Sequence, residues 1–213
     1  WASDEDIKSA CRGFSYSARQ TERPRGMIDE DMFTALVAWM RRSKENASLI
    51  DLTTVTFGAA LRVRESVAIK SGDYRPELGD SNVLGILSNI SNKAFSARRR
   101  LQPRFVEKEI YCPLVDAILR KRQAVTPAQE LLFPAKQGNL DQFRKVIKSA
   151  AEDLGWDAHL TWDGPHCLRH GGVGRLTALL KGSDGAVRKR ALQMSDSMQR
   201  FYARPNAARR RRK

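Results

Sequence analysis

The segment Pro165–His170, with the sequence PHCLRH, carries the most chemical information in this chain. If the segment is helical, His166 and Arg169 stand three residues apart and project from one face. An arginine can grip a phosphate through a bidentate fork, and a neighbouring histidine adds a hydrogen bond and a titratable proton. The segment therefore predicts an anion site on a helix. By themselves, a histidine and an arginine at this spacing are more often ordinary packed or solvated residues.

Three other segments strengthen the prediction of an anion site. Upstream, the stretch 61–73, LRVRESVAIKSGD, holds four residues at regular spacing: Arg62, Glu65, Ile69 and Asp73. Lys93 lies in a polar connection between two predicted strands. Tyr202 follows Arg169 by 33 residues, after a helical stretch.

In this order, the segments resemble the catalytic domain of the tyrosine recombinase/integrase family, from about Met27 to Arg204. The family pattern is an Arg in G-L-R-x-x-E-(x)3-L-(x)3-D, a Lys on a β-hairpin, H-x-L-R-H, a His or Trp, and a nucleophilic Tyr. The resemblance implies a mostly α structure with a small antiparallel β-sheet, an α+β fold. It also implies a DNA strand transferase, as in mobile elements, that works through a covalent 3′-phosphotyrosyl intermediate.

The resemblance assigns a role to each matching residue. Arg62 and Arg169 would clamp the scissile phosphate, and His166 would hydrogen-bond to it and assist proton transfer. Lys93 would protonate the leaving 5′ oxygen, and Tyr202 would attack phosphorus. This agrees with elementary chemistry, because phosphoryl transfer depends mainly on cations placed where negative charge develops.

Two positions depart from the family pattern. Gln193 stands nine residues before Tyr202, where the family has His or Trp; its amide can donate to a phosphate oxygen, whereas the side chain of Met194 cannot. The hairpin lysine is ambiguous, because Lys108 in the second strand is an alternative to Lys93.

Two further residues receive supporting roles. Glu65 is expected to hold Arg62 or to cap its helix. His170 is expected to orient the phosphate or to pack beneath the site. His166 and His170 also have the i, i+4 spacing of metal ligands, but no third and fourth zinc ligand can be placed, so neither a metal nor another cofactor is expected.

Apolar periodicity predicts several helices and two strands. The predicted helices are Met27–Lys44 with Asp29 as N-cap, Asp51–Lys70, Leu114–Arg120 after Pro113, a short one from Pro127, and Asn139–Leu154. The predicted strands are Asn82–Ile90 and Arg104–Cys112. Gly171 and Gly172 are expected to interrupt the helices that follow.

The charge of the chain favours a polyanionic partner. Its 213 residues contain 38 Lys and Arg against 24 Asp and Glu, a net charge of +14, and removing the basic run 209–213 still leaves about +9. A chain that is basic even without this run favours nucleic acid as its binding partner, and an anionic membrane surface is the main alternative. Double-stranded DNA is the expected partner, contacted in part by Arg98, Arg99 and Arg100, unless these three form a solvated loop. In the family, self-association on DNA gives a tetramer.

The sequence also predicts the domain organisation and the cellular compartment of the protein. We expect a lead-in over residues 1–26, a catalytic domain over 27–204 and a basic tail over 205–213, in a chain cut from a longer protein. No run of apolar residues is long enough to span a membrane. The three cysteines, an odd number without pairing spacing, favour a reducing compartment, either nucleus or cytoplasm.

Other functions remain open from the sequence. A catalytically decayed relative that only binds DNA is suggested by the departure at Gln193. A type IB topoisomerase uses similar cations and a tyrosine, but usually has Lys where His166 stands. An RNA-binding module has little support, because aromatic residues are few and unclustered.

Overall fold

A computed structural model describes residues 26–77, 82–91, 105–134, 139–162 and 164–181. These residues form six α-helices, a short 3₁₀ helix (Ser71–Asp73) and one three-stranded antiparallel sheet, which confirms the predicted α+β class. The helices are α1 (Glu30–Arg42), α2 (Ala47–Gly58), α3 (Val63–Ser66), α4 (Pro113–Gln123), α5 (Asn139–Asp153) and α6 (His166–Leu179). The strands, in spatial order, are β1 (Tyr74–Pro76), β2 (Gly85–Ser91) and β3 (Phe105–Ile110). None of the described helices is long and apolar enough to cross a membrane.

Helix α1 has the N-cap that the sequence predicts, Asp29, and therefore begins at Glu30, inside the predicted stretch Met27–Lys44. The Asp29 carboxylate accepts a hydrogen bond from the backbone N–H of Met32 at 3.0 Å, which satisfies one free donor of the first turn. Leu36 and Met40, one turn apart, are buried on the inner face. The cap and this apolar face together fix the helix against the core.

Helix α2 is the central element of the core. Its second half is buried on all sides, and it packs against α1, α4 and α6. The prediction of one helix over Asp51–Lys70 is wrong, because the chain leaves the helix after Gly58 and starts again at Val63. Ala60 marks the break, with a left-handed φ of 49° that no helix accommodates.

The sheet contains one strand more than the sequence predicts. β1 is only three residues long, too short for an alternating pattern to reveal it. It pairs with β2 through Tyr74 and Leu87, and β2 pairs with β3 through Leu87 and Lys108. Leu87 is thus the middle of a cross-strand row that ends at Lys108.

The segment after α4 is not helical. A helix starts at Pro113 as predicted, but the short helix expected from Pro127 does not form. Instead, the backbone N–H of Leu132 donates to Ile69 O, and that of Ser71 donates to Glu130 O, both at 2.9 Å. Pairing with this distant segment replaces the local helix.

Gly171 and Gly172 lie inside α6, so the expected interruption is wrong. A Cβ on Gly171 would lie 1.6 Å from Ile28 O, and one on Gly172 would lie 2.1 Å from Phe57 O. The absence of a side chain at these two glycines therefore lets α6 pack directly against the backbone of two other segments. This approach sets the N-terminal half of α6 against the end of α2.

Candidate active site

Glu65 organises the local part of the site. One carboxylate oxygen accepts from the backbone N–H of Arg62 at 2.6 Å, and the other accepts from Arg62 Nη1 at 2.5 Å. The first bond caps α3 and the second holds the guanidinium. Glu65 therefore does both of the things expected of it, because the i, i+3 spacing lets one side chain reach both donors.

Arg169 reaches the same carboxylate from a distant part of the chain. Its Nη1 donates to Glu65 Oε2 at 3.2 Å and to the backbone oxygen of Ala60 at 2.9 Å. The side chains of Arg169 and Glu65 are 4% and 9% exposed, whereas that of Arg62 is 36% exposed. An anion arriving from solvent would meet Arg62 first, with Arg169 behind it.

Lys108 is the third cation of this cluster. It lies on β3 with 1% exposure. Burial lowers the pKa of Lys108 to about 7; the charge of Arg169 adds to this effect and so does that of Arg62, while Glu65 opposes it. An amine in this environment is balanced between its charged and neutral forms near neutral pH.

The side chains of Arg62, Glu65, Lys108 and Arg169 together carry an excess of positive charge. Glu65 supplies one negative charge, and the two arginines with a protonated Lys108 supply three positive ones. A buried excess of positive charge is costly unless an anion enters it. The arrangement therefore favours a bound group such as a phosphate diester, whose oxygens accept hydrogen bonds from guanidinium groups.

His166 and His170 lie at the start of the helix that carries Arg169. His166 is the first residue of α6 and is exposed, and His170 is half-buried. Their rings meet edge to face, with centroids 5.7 Å apart. His166 is thus open to solvent at the N-terminal end of the helix that carries Arg169.

Several predicted residues lie outside the described part of the chain. These are Lys93, Arg98, Arg99, Arg100, Gln193 and Tyr202. The structure thus assembles Arg62, Glu65 and Arg169, and adds Lys108, which the sequence offered only as the alternative hairpin lysine. Within the described ranges, no three His, Cys, Asp or Glu side chains are grouped closely enough to hold a metal ion.

The Ala60 carbonyl is a contact that sequence reasoning missed. It accepts from Arg169 because Ala60 adopts the left-handed backbone described above. An alanine carries no signal for that conformation, since the residues usually found there are Gly, Asn and Asp.

We compared the sequence and the structure with known proteins. No family model matches the sequence, and no curated protein sequence matches it. Among solved structures, the XerH site-specific recombinase bound to its difH substrate superposes with a TM-score of 0.59 at 15% identity, covering 89% of this chain and 53% of that one. The XerA recombinase gives 0.56 at 16% identity, with 99% and 74% covered. The Tn1549 transposon integrase in complex with transposon right end DNA gives 0.57 at 14% identity, with 90% and 65% covered.

The likeness is one of fold, and it extends over most of this chain. The chain spans about half the length of the XerH chain that it matches.

Proposed function

We propose that this chain, which has the fold of tyrosine recombinase catalytic domains, is the catalytic part of an enzyme that cleaves and rejoins DNA strands. The observation that carries the proposal is that Arg62 and Arg169 both contact the Glu65 carboxylate, while the buried Lys108 lies close enough for the charges of all three to act on it. A fold shared with DNA-bound recombinases supplies the context, and the net charge of +14 supplies the attraction for a polyanion.

The proposed reaction is a transesterification at phosphorus. The Tyr202 oxygen attacks as its phenolic proton passes to His166, a Tyr O–P bond forms, and the P–O5′ bond breaks. Arg62 and Arg169 hold the non-bridging oxygens as their charge grows, and His166 hydrogen-bonds to the same phosphate. The broken strand keeps a 3′-phosphotyrosyl link, so a 5′ hydroxyl can reverse the step without ATP.

The leaving 5′ oxygen needs a proton, and we assign that proton to Lys108. A general acid works best when its pKa is near the working pH, and the surroundings of Lys108 bring its pKa to about 7. Lys93, the residue first expected in this role, remains the competing assignment. Gln193 is proposed to donate to the phosphate in place of the family's His or Trp, and Arg98, Arg99 and Arg100 to contact the DNA backbone.

The partner is proposed to be double-stranded DNA, on which copies of the chain assemble. The observation that supports a DNA partner is the excess of basic residues in the body of the chain. Assembly on DNA rests on the family resemblance and is proposed with it.

A suicide substrate tests the reaction. We would incubate the chain with a DNA duplex nicked so that the cleaved 5′ end diffuses away, and run a denaturing gel. A slower covalent band is expected for the wild type and for Tyr111→Phe, a matched control outside the proposed site. It is expected to be absent for Tyr202→Phe. A band that survives Tyr202→Phe contradicts the assigned nucleophile.

The same assay separates the remaining possibilities. Lys108→Met is expected to reduce band formation strongly and Lys93→Ala only slightly; the reverse result would assign the general acid to Lys93. Salt-sensitive DNA binding without any band would favour a decayed DNA binder. Relaxation of supercoiled DNA by a single subunit would favour a topoisomerase.

A further inference from the structure

The strand opposite Lys108 contains one residue too many. Leu87 pairs with Lys108 and Ile90 pairs with Val106, so Ser88 and Asn89 together face only the single residue Glu107. This is a β-bulge, and Asn89 supports it with a left-handed φ of 58°. Bulges of this kind are common beside active sites, where they redirect neighbouring side chains.

The bulge determines which side chains of β2 face the same side of the sheet as Lys108. With the extra residue, Leu87 and Ile90 both face the interior, while Ser88 is half-buried and Asn89 is exposed. Since side chains alternate along a strand, an unbulged β2 would turn either Ser88 or Asn89 inward. Either one would place a polar side chain on the sheet face that buries Lys108.

Asp73 holds both bulge residues. Its carboxylate accepts from Asn89 Nδ2 at 2.7 Å and from the backbone N–H of Lys70 at 2.9 Å. Its backbone oxygen accepts from Ser88 Oγ at 3.0 Å. Asp73 is itself buried, and it directly precedes β1, the strand that pairs with Leu87.

Asp73 belongs to the motif at 61–73, yet the proposed reaction gives it no role. We propose that Asp73 and the Ser88–Asn89 bulge are a positioning device for Lys108, which keep its side chain buried opposite Leu87 and near the charges of Arg62, Glu65 and Arg169. The inference rests on the proposed function, because it concerns how the general acid is held. Asp73 and Asn89 are positioning residues and do not touch the DNA.

The first measurement is independent of activity. The pKa of Lys108 is titrated by NMR of its ε-carbon in the wild type, in Asp73→Ala and in Asn89→Val. Valine is strained at a positive φ, so it disfavours the bulged backbone. Both variants are expected to raise the pKa of Lys108 from about 7 toward the ordinary value of 10.5.

Two variants calibrate this measurement. Asn89→Gly keeps the left-handed backbone and loses only the side-chain hydrogen bond to Asp73, so a smaller rise in the pKa of Lys108 is expected. It replaces Asn89→Val if the valine variant does not fold. Asn46→Ala removes a comparable side-chain bond, to the backbone N–H of Ser48 at the start of α2, and is expected to leave the pKa of Lys108 unchanged.

The second measurement compares two leaving groups. A substrate with sulfur at the bridging 5′ position releases a thiolate, whose conjugate acid is far stronger than an alcohol, so it needs no general acid. Asp73→Ala and Asn89→Val are expected to lose roughly 10- to 100-fold in cleavage rate with the oxygen substrate and to approach the wild type with sulfur. Lys108→Met should behave in the same way, whereas Arg62→Ala should stay slow with both.

Either measurement can overturn the inference. An unchanged pKa of Lys108 in Asp73→Ala and Asn89→Val, or an equal rate loss with both substrates, would show that the bulge does not act through Lys108. A wild-type chain that cleaves neither substrate would defeat the proposed function. In that case, the titration still decides whether Asp73 and the bulge hold Lys108.

Discussion

Replacing Lys108 with methionine is expected to stabilise the folded chain. Methionine has a similar length and carries no charge, so it fills the same space beside Leu87 and removes a buried amine. The loss of the amine also relieves repulsion from Arg62 and Arg169. A stabilising change at the expense of the proposed activity is typical of a strained functional site.

The size and pH range of the effect follow from the pKa of Lys108. Folding lowers it from 10.5 to about 7, and at about 1.36 kcal/mol per pKa unit the protonated lysine costs about 5 kcal/mol. Below pH 7 both folded and unfolded chains hold the proton, so the full cost applies. Between pH 7 and 10.5 the unfolded chain binds more protons, so wild-type stability rises with pH as the cost disappears.

Urea unfolding followed by tryptophan fluorescence measures this difference. At pH 6 the variant is expected to exceed the wild type by several kcal/mol, and the gap should shrink steadily from pH 7 to pH 10. Lys145→Met, on the exposed face of α5, is the matched control and should stay within about 0.5 kcal/mol of the wild type. A gap for Lys108→Met that does not change with pH, or a destabilised variant, would refute the reasoning.

Four further outcomes are expected. Glu65→Gln should cost about 3 kcal/mol in urea unfolding, because it leaves the buried guanidinium of Arg169 without its counter-charge; a cost below 1 kcal/mol would contradict this. Gly171→Ala should cost about 2–3 kcal/mol, because its Cβ would overlap Ile28 O. Gly174→Ala, with nothing within 4 Å of the added carbon, should stabilise the same helix by up to about 1 kcal/mol, and equal effects at the two glycines would argue against the close approach. DNA affinity should fall roughly a thousandfold between about 50 and 200 mM salt in a filter-binding assay, and a flat response would exclude backbone phosphates as the main contact.

Features that depend on near neighbours in the chain were predictable. The cap at Asp29, the start of α4 at Pro113 and the Arg62–Glu65 contact involve residues within three or four positions of one another. Helix geometry alone brings such residues together. The fold class also followed, because the motifs that resemble the recombinase family occur in order over most of the chain.

Features that depend on packing were not predictable from local patterns. Gly171 looks like a helix break in isolation but lies inside α6, where the backbone at Ile28 approaches too closely for any side chain. The helix expected at Pro127 gives way to pairing of that segment with Ile69 and Ser71. In both cases a distant segment outweighs a local preference of about 1 kcal/mol per residue.

The sequence by itself determined the basic charge, the α+β class, and the spacing that puts Arg62 with Glu65 and His166 on one helix with Arg169. Only the tertiary structure decided that Arg169 meets Glu65, which is 104 positions away, and that Lys108 lies buried among them. The reason is that a strand's inward face depends on its pairing register, and here a bulge held by a distant carboxylate fixes which residues surround Lys108.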